Sequence, residues 1–487
     1  MKEVAKIYNW INGKEVEPDN ALWIDKYDPH TGKILSKFAD SISTDVSTAI
    51  EASCLAYNDW SRSTAIQRGK ILTDIVNELK RCSEDLSKCI SVETGKPPSD
   101  ADGEVSAAIL QAEYWAGEGM RLYGRSLSSG VFGKHSHTIR QSLGVSGLIV
   151  PANTPIANIA WKCFPALICG NTVVLKASED APETALQFAK ITNYAGLPPG
   201  VLNVIQGRGN IAGVSLVNDD RVPLISFTGS TATGRSIAEI CAKRMARVSL
   251  ELGGKNAFVV CADADIDHAI TWASSSAFSN AGQRCASASR MLVESSIYDE
   301  FRDRLVRRAK SLVLGTSRGC DLGPVVNSRQ HASILNAISQ ASKDNGKVIC
   351  GGKIPDKHEL KGGYYIEPTI IENLPSNNDL NNTEIFGPVV TLQSFSSLTD
   401  ALQIVNQTKY GLTSSIHTKD VDRAFWFAQN VRAGVANVNL GTHGSEPHMP
   451  FGGFGWSGNG TREPGVEALD VYTELKNISV FVDEKNI

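Results

Sequence analysis

The 487-residue chain has no uninterrupted apolar run of eighteen residues, which leaves no candidate for a membrane-spanning helix. Its first ten residues, MKEVAKIYNW, lack the apolar stretch of a secretory leader. The ten cysteines are scattered, with neither a CxxC pair nor a Cys/His cluster. That spacing argues against a zinc site or a disulfide framework and reads as the reduced thiols of a cytoplasmic protein. Most of them, such as Cys163, Cys169 and Cys241, lie in apolar contexts and read as small buried hydrophobes. Neither sign of charge dominates: 48 Lys and Arg stand against 52 Asp and Glu, a net charge of -4. The basic surplus of a nucleic-acid binder is missing. No repeat or low-complexity stretch is visible.

What is present is a chain too long for one hydrophobic core, with 42% hydrophobic residues, so two or three domains are expected. From residue 146 onward, short apolar runs alternate with amphipathic ones. SGLIVP, TVVLKAS, VLNVIQG, LISFTG and RVSLELGG read as strands, with helices between them over about 160–168, 181–195, near 212 and over 231–242. This rhythm predicts a parallel sheet with helices on both faces, a doubly wound nucleotide-binding unit over 146–254. A second alternation follows, with strands NAFVVC, RMLVES, PVVTLQSF, LTSSIHT and ANVNL, and a helix starting at Asp265. The polar segment 121–141 reads as strand-like and the tail 469–482 as strand or strand-and-bend, and neither fits the two units. They are expected to form an arm used for oligomerisation, because strand edges seek partners.

Four groups of residues could carry chemistry. Cys285 lies in NAGQRCA beside Arg284, where a neighbouring cation and backbone N–H groups would lower a thiol's pKa; the alternative is a buried structural cysteine. Glu251 ends an apolar strand just before two glycines, where functional groups gather in open α/β sheets. It reads either as a general base or as an ion pair with Lys255. Asn153, after Pro151, reads as an oxyanion donor or as a turn or capping residue before Pro155. Lys176 and Glu179 close the strand VVLKASE and could hold ribose hydroxyls, or be a solvated strand end. The loop GSTATG, with Gly229, Ser230 and Gly234, leads into a helix whose N-terminus favours phosphate.

Taken together, PANTP at Pro151, LKASE at Leu175, FTGSTATG at Phe227, LELGGK at Leu250, GQRC at Gly282, EIFGPV at Glu384 and PFGGFGWSG at Pro450 resemble the aldehyde dehydrogenase superfamily over nearly the whole chain. The resemblance implies two doubly wound α/β domains, a Rossmann-like cofactor domain and a catalytic domain, plus a small β arm. It assigns 1–119 and 142–253 to NAD(P) binding, 254–465 to catalysis, and 120–141 with 466–487 to the arm. It implies oxidation of an aldehyde to a carboxylic acid through a thiohemiacetal and a thioester on Cys285. Asn153 and the Cys285 N–H would hold the oxyanion, Glu251 would activate water, and Lys162 would relay protons. Pro151, Lys176, Ser178, Glu179, Gly229, Ser230, Gly234, Leu252, Glu384 and Phe386 would hold the dinucleotide. No metal is implied.

Glu179 favours NAD over NADP, because a carboxylate repels a 2'-phosphate, while Lys176 leaves NADP use open. Positions that resemble the family's substrate tunnel are Ala107, Thr154, Trp161, Ser279, Arg284, Ser445 and Phe451. Several are smaller than in the common family pattern, as is Ala152, which implies a wider, more polar tunnel for a bulky or polar aldehyde, with Glu446 and His448 near its mouth. Trp161 stands where an arginine would suggest a semialdehyde carboxylate. That argues against such a substrate unless Arg284 or Arg121 serves instead. The expected assembly is a homodimer or homotetramer with a small aldehyde as its partner, without nucleic acid or membrane. The competing readings are a CoA-acylating dehydrogenase, disfavoured because such relatives generally lack the glutamate at Glu251, and a non-catalytic NAD-binding protein.

Overall fold

The computed structural model describes residues 4–375 and 377–483. A seven-stranded sheet runs in the spatial order Arg247–Glu251, Leu224–Thr228, Val145–Ile149, Thr172–Lys176, Leu202–Ile205, Asn9–Ile11, Lys14–Val16. The first five strands are mutually parallel, and the last two pair antiparallel at the edge. Alternating side chains point to opposite faces of a strand. Accordingly, Val173 and Leu175 pack into one core cluster with Phe164, Phe188 and Trp115, while Val174 packs into another with Ile205, Ile225 and Leu250. Both faces are therefore buried, as the near-continuous apolar strands require.

A second seven-stranded sheet has the order Lys347–Cys350, Thr369–Glu372, Val389–Phe395, Ala288–Glu294, Asn256–Val260, Thr413–His417, Val435–Val438. It is parallel except for Lys347–Cys350. Phe258 and Val260 serve one core cluster, Ala257 and Val259 another. Asp265 caps the helix Ile266–Phe278 by accepting the His268 N–H, so the helix start read at Asp265 holds. The two sheets meet head to tail. The chain leaves the first at the carboxyl end of Arg247–Glu251 and enters the second at Asn256, the amino end of its first strand.

Strands Lys134–Ser142 and Thr473–Phe481 pair antiparallel over nine residues, and Ser126–Leu127 adds a third strand. The two segments that fitted neither unit thus pair with each other. The tail corrects one detail. Ala468–Tyr472 is a helix, not strand, and its Ala468, Leu469, Val471 and Tyr472 are buried in the core of the first sheet. The sheet continues only from Thr473. Among the described residues no helix is long and apolar enough to cross a membrane.

Candidate active site

Strand Val145–Ile149 lies between Leu224–Thr228 and Thr172–Lys176, so the connections leaving its neighbours run in opposite directions. In open α/β sheets a crevice opens at the carboxyl ends beside such a switch point. Here those ends carry Pro151 to Thr154 on one side and Gly229 with Ser230 on the other. Thr154 precedes the helix Pro155–Ile168, which starts with proline at its first position, where no N–H is needed. The N–H of Ile156 in its first turn donates to Glu104 Oε1 at 2.9 Å. Glu104 also pairs with Lys96, and Lys96 donates to the Asn153 carbonyl at 2.7 Å. The position of Asn153 is therefore held by a buried ion pair from the preceding helical layer. Its amide does not cap the helix. It donates instead to the Gln283 carbonyl at 2.9 Å, in the loop that carries Cys285.

That loop follows the short turn Ser279–Gly282, in which Asn280, Ala281 and Gly282 all have φ between 51° and 69°. A methyl group on Gly282 would lie 2.1 Å from the Gly387 carbonyl, so both conformation and space demand glycine. Asn256 Nδ2 donates to the carbonyls of Cys285 and Ser287 at 2.7 and 2.9 Å, and Thr442 Oγ1 donates to that of Ala286 at 2.7 Å. The nucleophile candidate is thus fixed by Asn256, which opens a strand of the second sheet, and by Thr442, which follows its edge strand Val435–Val438.

Two cavities of about 400 Å³ open on this loop. Pro151, Gly229, Ser230, Leu252, Glu384 and Phe386 line the first, all of them expected cofactor residues, together with Gln330 and Ser333. Ala107, Thr154, Trp161, Arg284, Ser445 and Phe451 line the second, all expected substrate residues, together with Asp100, His443 and Glu446. Asn153, Thr154, Ala157, Trp161 and Cys285 belong to both. A sulfur in that common wall can face one reactant on each side. Trp161 and Phe451 meet edge to face, with ring centroids 5.3 Å apart.

Other expected residues lie outside these walls. Ser279, His448 and Arg121 line neither cavity, and Arg121 donates to Glu118 at 2.7 Å. Lys176, Ser178 and Glu179 sit at the carboxyl end of the neighbouring strand, with Glu179 accepting the Gly209 N–H at 2.9 Å. Gly234 serves packing, since a methyl group there would lie 2.5 Å from Leu252 Cδ2. Ser230 accepts the Thr233 N–H and caps the helix Thr231–Lys243, whose N-terminus borders the first cavity. A helix start with free N–H groups, a part-buried carboxylate on Glu384 and the glycine-lined opening at Gly229 and Gly253 fit a dinucleotide.

The electrostatics differ from expectation at two places. The thiol of Cys285 is pushed up to about 12 by burial and by the carboxylates of Glu384 and Glu251. Arg284 and the Ala286 N–H oppose this without prevailing, so the lowering expected from the arginine does not occur. Glu251 is buried and held well above the usual carboxylate range, first by burial and then by Glu463. It forms no ion pair with Lys255, and neither of its oxygens has a hydrogen-bond partner among the described residues. It lines neither cavity but lies against Gly452, where a methyl group would be 2.8 Å from Oε1. Lys255 Nζ is likewise without a hydrogen-bond partner among the described residues; burial and then Arg290 lower its ammonium to about 7, and burial raises Glu384 to about 7.

Lys162, the one charged residue of the buried helix Pro155–Ile168, pairs with Glu463 at 2.7 Å and with Ser226 Oγ at 2.7 Å. Tyr472 donates to Glu463 at 2.9 Å. Sequence reasoning missed Glu463, Tyr472 and Ser226, which approach Lys162 only through the fold. It also missed Glu104 and Lys96, although Glu104 carries a readable signal: it is a carboxylate on the buried face of the helix Pro98–Glu118, in line with Ala101, Ala108 and Ala112.

Residues 16–478 match the model of the aldehyde dehydrogenase family. The chain is 35% identical over 478 residues to alpha-ketoglutaric semialdehyde dehydrogenase of Bacillus subtilis (strain 168), covering 97% of each. PnpE from Pseudomonas sp. WBC-3 is similar in structure, with a TM-score of 0.96 at 36% identity and 98% of each chain covered. Betaine aldehyde dehydrogenase from Staphylococcus aureus, in complex with NAD+, gives a TM-score of 0.95 at 31% identity, covering 97% of this chain and 94% of that one. By this match over nearly its whole length, the chain belongs to the aldehyde dehydrogenase family and oxidises aldehydes with a nicotinamide dinucleotide as acceptor.

Proposed function

We propose that Cys285 is the nucleophile and that its sulfur carries the acyl group from one cavity to the solvent as a thioester. The observation that carries this reading is its position in the wall common to both cavities. The thiol attacks the aldehyde carbon to give a thiohemiacetal. The charge that develops on oxygen meets the second hydrogen of the Asn153 amide and the Cys285 backbone N–H, which has no acceptor among the described residues. When bound, the nicotinamide supplies the hydride acceptor. Glu384 and Phe386, which line the first cavity, would hold it there, and Asn153 and Trp161, common to both cavities, would bound the reacting carbon.

Glu251 then takes a proton from the water that hydrolyses the thioester. Burial, and then Glu463, raise its pKa above the usual carboxylate range, which makes its carboxylate form a stronger base. Because it rests against Gly452, it swings toward Cys285 for this step. From Glu251 the proton passes to Glu463, the carboxylate paired with Lys162 in the buried polar cluster beside it. Hydrolysis, rather than transfer to CoA, follows from the presence of this carboxylate.

NAD is preferred over NADP through Glu179, with Lys176 beside it. The substrate is a bulky or polar aldehyde, given small Ala107 and Ser445 and charged Arg284 and Glu446 in the second cavity. A homodimer or homotetramer forms through the arm, whose edge strand Thr473–Phe481 exposes Leu475, Val480 and Phe481. The protein is cytoplasmic, in keeping with ten free cysteines. Steady-state kinetics with both dinucleotides test the cofactor reading. A higher kcat/KM with NAD is expected, and Glu179→Gln should narrow the gap; equal use by the unaltered enzyme contradicts it.

A further inference from the structure

Three charged residues spaced by four, Lys96, Asp100 and Glu104, stand in the wall of the second cavity. Lys96 lies just ahead of the helix Pro98–Glu118, and Asp100 and Glu104 share one face of its first turns. Each reaches a different point of the two loops that meet in that wall. Lys96 donates to the Asn153 carbonyl at 2.7 Å, Asp100 accepts the Asn280 N–H at 3.1 Å, and Glu104 accepts the Ile156 N–H at 2.9 Å. Asn280 Nδ2 closes the set by donating to the same Asn153 carbonyl at 2.9 Å. The start of one helix therefore holds the Asn153 peptide on one side and the turn leading to Cys285 on the other.

Stability does not explain Lys96 and Glu104. Their side chains are only 2% and 4% exposed, and the cost of taking two charges out of water is comparable with their mutual attraction. What the pair does achieve is a fixed carbonyl. Turning the Asn153 peptide would take an acceptor from a buried ammonium, which is costly. The side-chain amide of Asn153 leaves the same α-carbon, so its direction toward the Cys285 loop is set with it.

We propose that Lys96 and Glu104 are positioning residues for the oxyanion site, acting through Asn153, and that Asp100 holds the Cys285 side of the same site. This rests on the reading of the Asn153 amide and the Cys285 N–H as the oxyanion donors.

The test is a double-mutant cycle on kcat/KM for propanal, with Lys96→Met and Glu104→Gln on one side and Asn153→Ala on the other. The paired replacement leaves no lone buried charge, and the new amide oxygen can still accept the Ile156 N–H. It should lower kcat/KM by roughly 10- to 100-fold, the scale of a displacement of about 1 Å at a reacting centre. KM for NAD and the rate of Cys285 alkylation by iodoacetamide should stay within about twofold, as for sites that are not coupled. In the Asn153→Ala background the same replacement should change kcat/KM by less than about twofold, because the group it positions is gone. Lys96→Arg keeps the charge but not the compact ammonium, and should show the same pattern on a smaller scale. It carries the cycle if the paired replacement does not fold. Losses that multiply in the combined variant, or an unchanged kcat/KM in the Asn153 enzyme, overturn the proposal. If Asn153→Ala by itself leaves kcat/KM unchanged, the oxyanion reading fails and this proposal with it.

Discussion

Asn153 and Cys285 come from different sheets, yet both stand in the wall between the two cavities, and the Asn153 amide reaches the Cys285 loop through the Gln283 carbonyl at 2.9 Å. The carboxyl end of one sheet thereby presents a donor to the loop that carries the proposed nucleophile at the amino end of the other. Asn153→Ala is expected to lower kcat by about 100- to 1000-fold, the usual loss for one oxyanion donor. Alkylation of Cys285 in the variant should still proceed at close to its normal rate. Loss of both would mean that the residue holds the loop rather than the oxyanion.

Burial and two carboxylates hold the Cys285 thiol up at about 12, above the ordinary value near 8.5. Only the thiolate reacts. Alkylation of the cofactor-free enzyme by iodoacetamide should therefore keep rising, about tenfold per pH unit, from pH 7 to beyond pH 9. A plateau near pH 8 would show that Arg284 and the Ala286 N–H outweigh burial. Glu384→Gln removes the first of the two carboxylates and should move the profile toward lower pH.

Lys162 and Glu463 form a fully buried pair. Replacing one member leaves the other as an uncompensated charge, which costs about 3–5 kcal/mol. Lys162→Met should lower the urea midpoint accordingly, and Lys162→Met combined with Glu463→Gln should recover much of the loss. A double variant no more stable than the single one would show that the pair is not coupled.

Much of this was legible in the chain because local pattern and local chemistry agreed. The alternation in TVVLK sends Val174 to one core cluster and Val173 with Leu175 to the other, as a doubly wound sheet requires. Cys285 and Asn153 were readable because each sits inside a distinctive run of neighbours. Lys162 and Glu463 are 301 residues apart, and nothing in either local stretch announces the pair. The expectation at Cys285 failed for a different reason. An adjacent arginine is visible in sequence, but burial and the two carboxylates that outweigh it are assembled only by the fold. The unexpected inward position of Glu251 has the same origin, for a strand-end glutamate reveals its location but not its rotamer. The helix Ala468–Tyr472 was hidden because five residues are too few to display a helical period.

In the proposed mechanism the acyl group passes through the sulfur of Cys285 as a thioester. Glu251→Gln slows the step that removes it, so an aldehyde and NAD should produce a single burst of NADH followed by slow turnover. Mass spectrometry of the variant quenched after the burst should find the peptide containing Cys285 heavier by the acyl group, and unmodified after hydroxylamine treatment. An NADH burst without that mass increase, or an acyl group on another residue, would contradict the account.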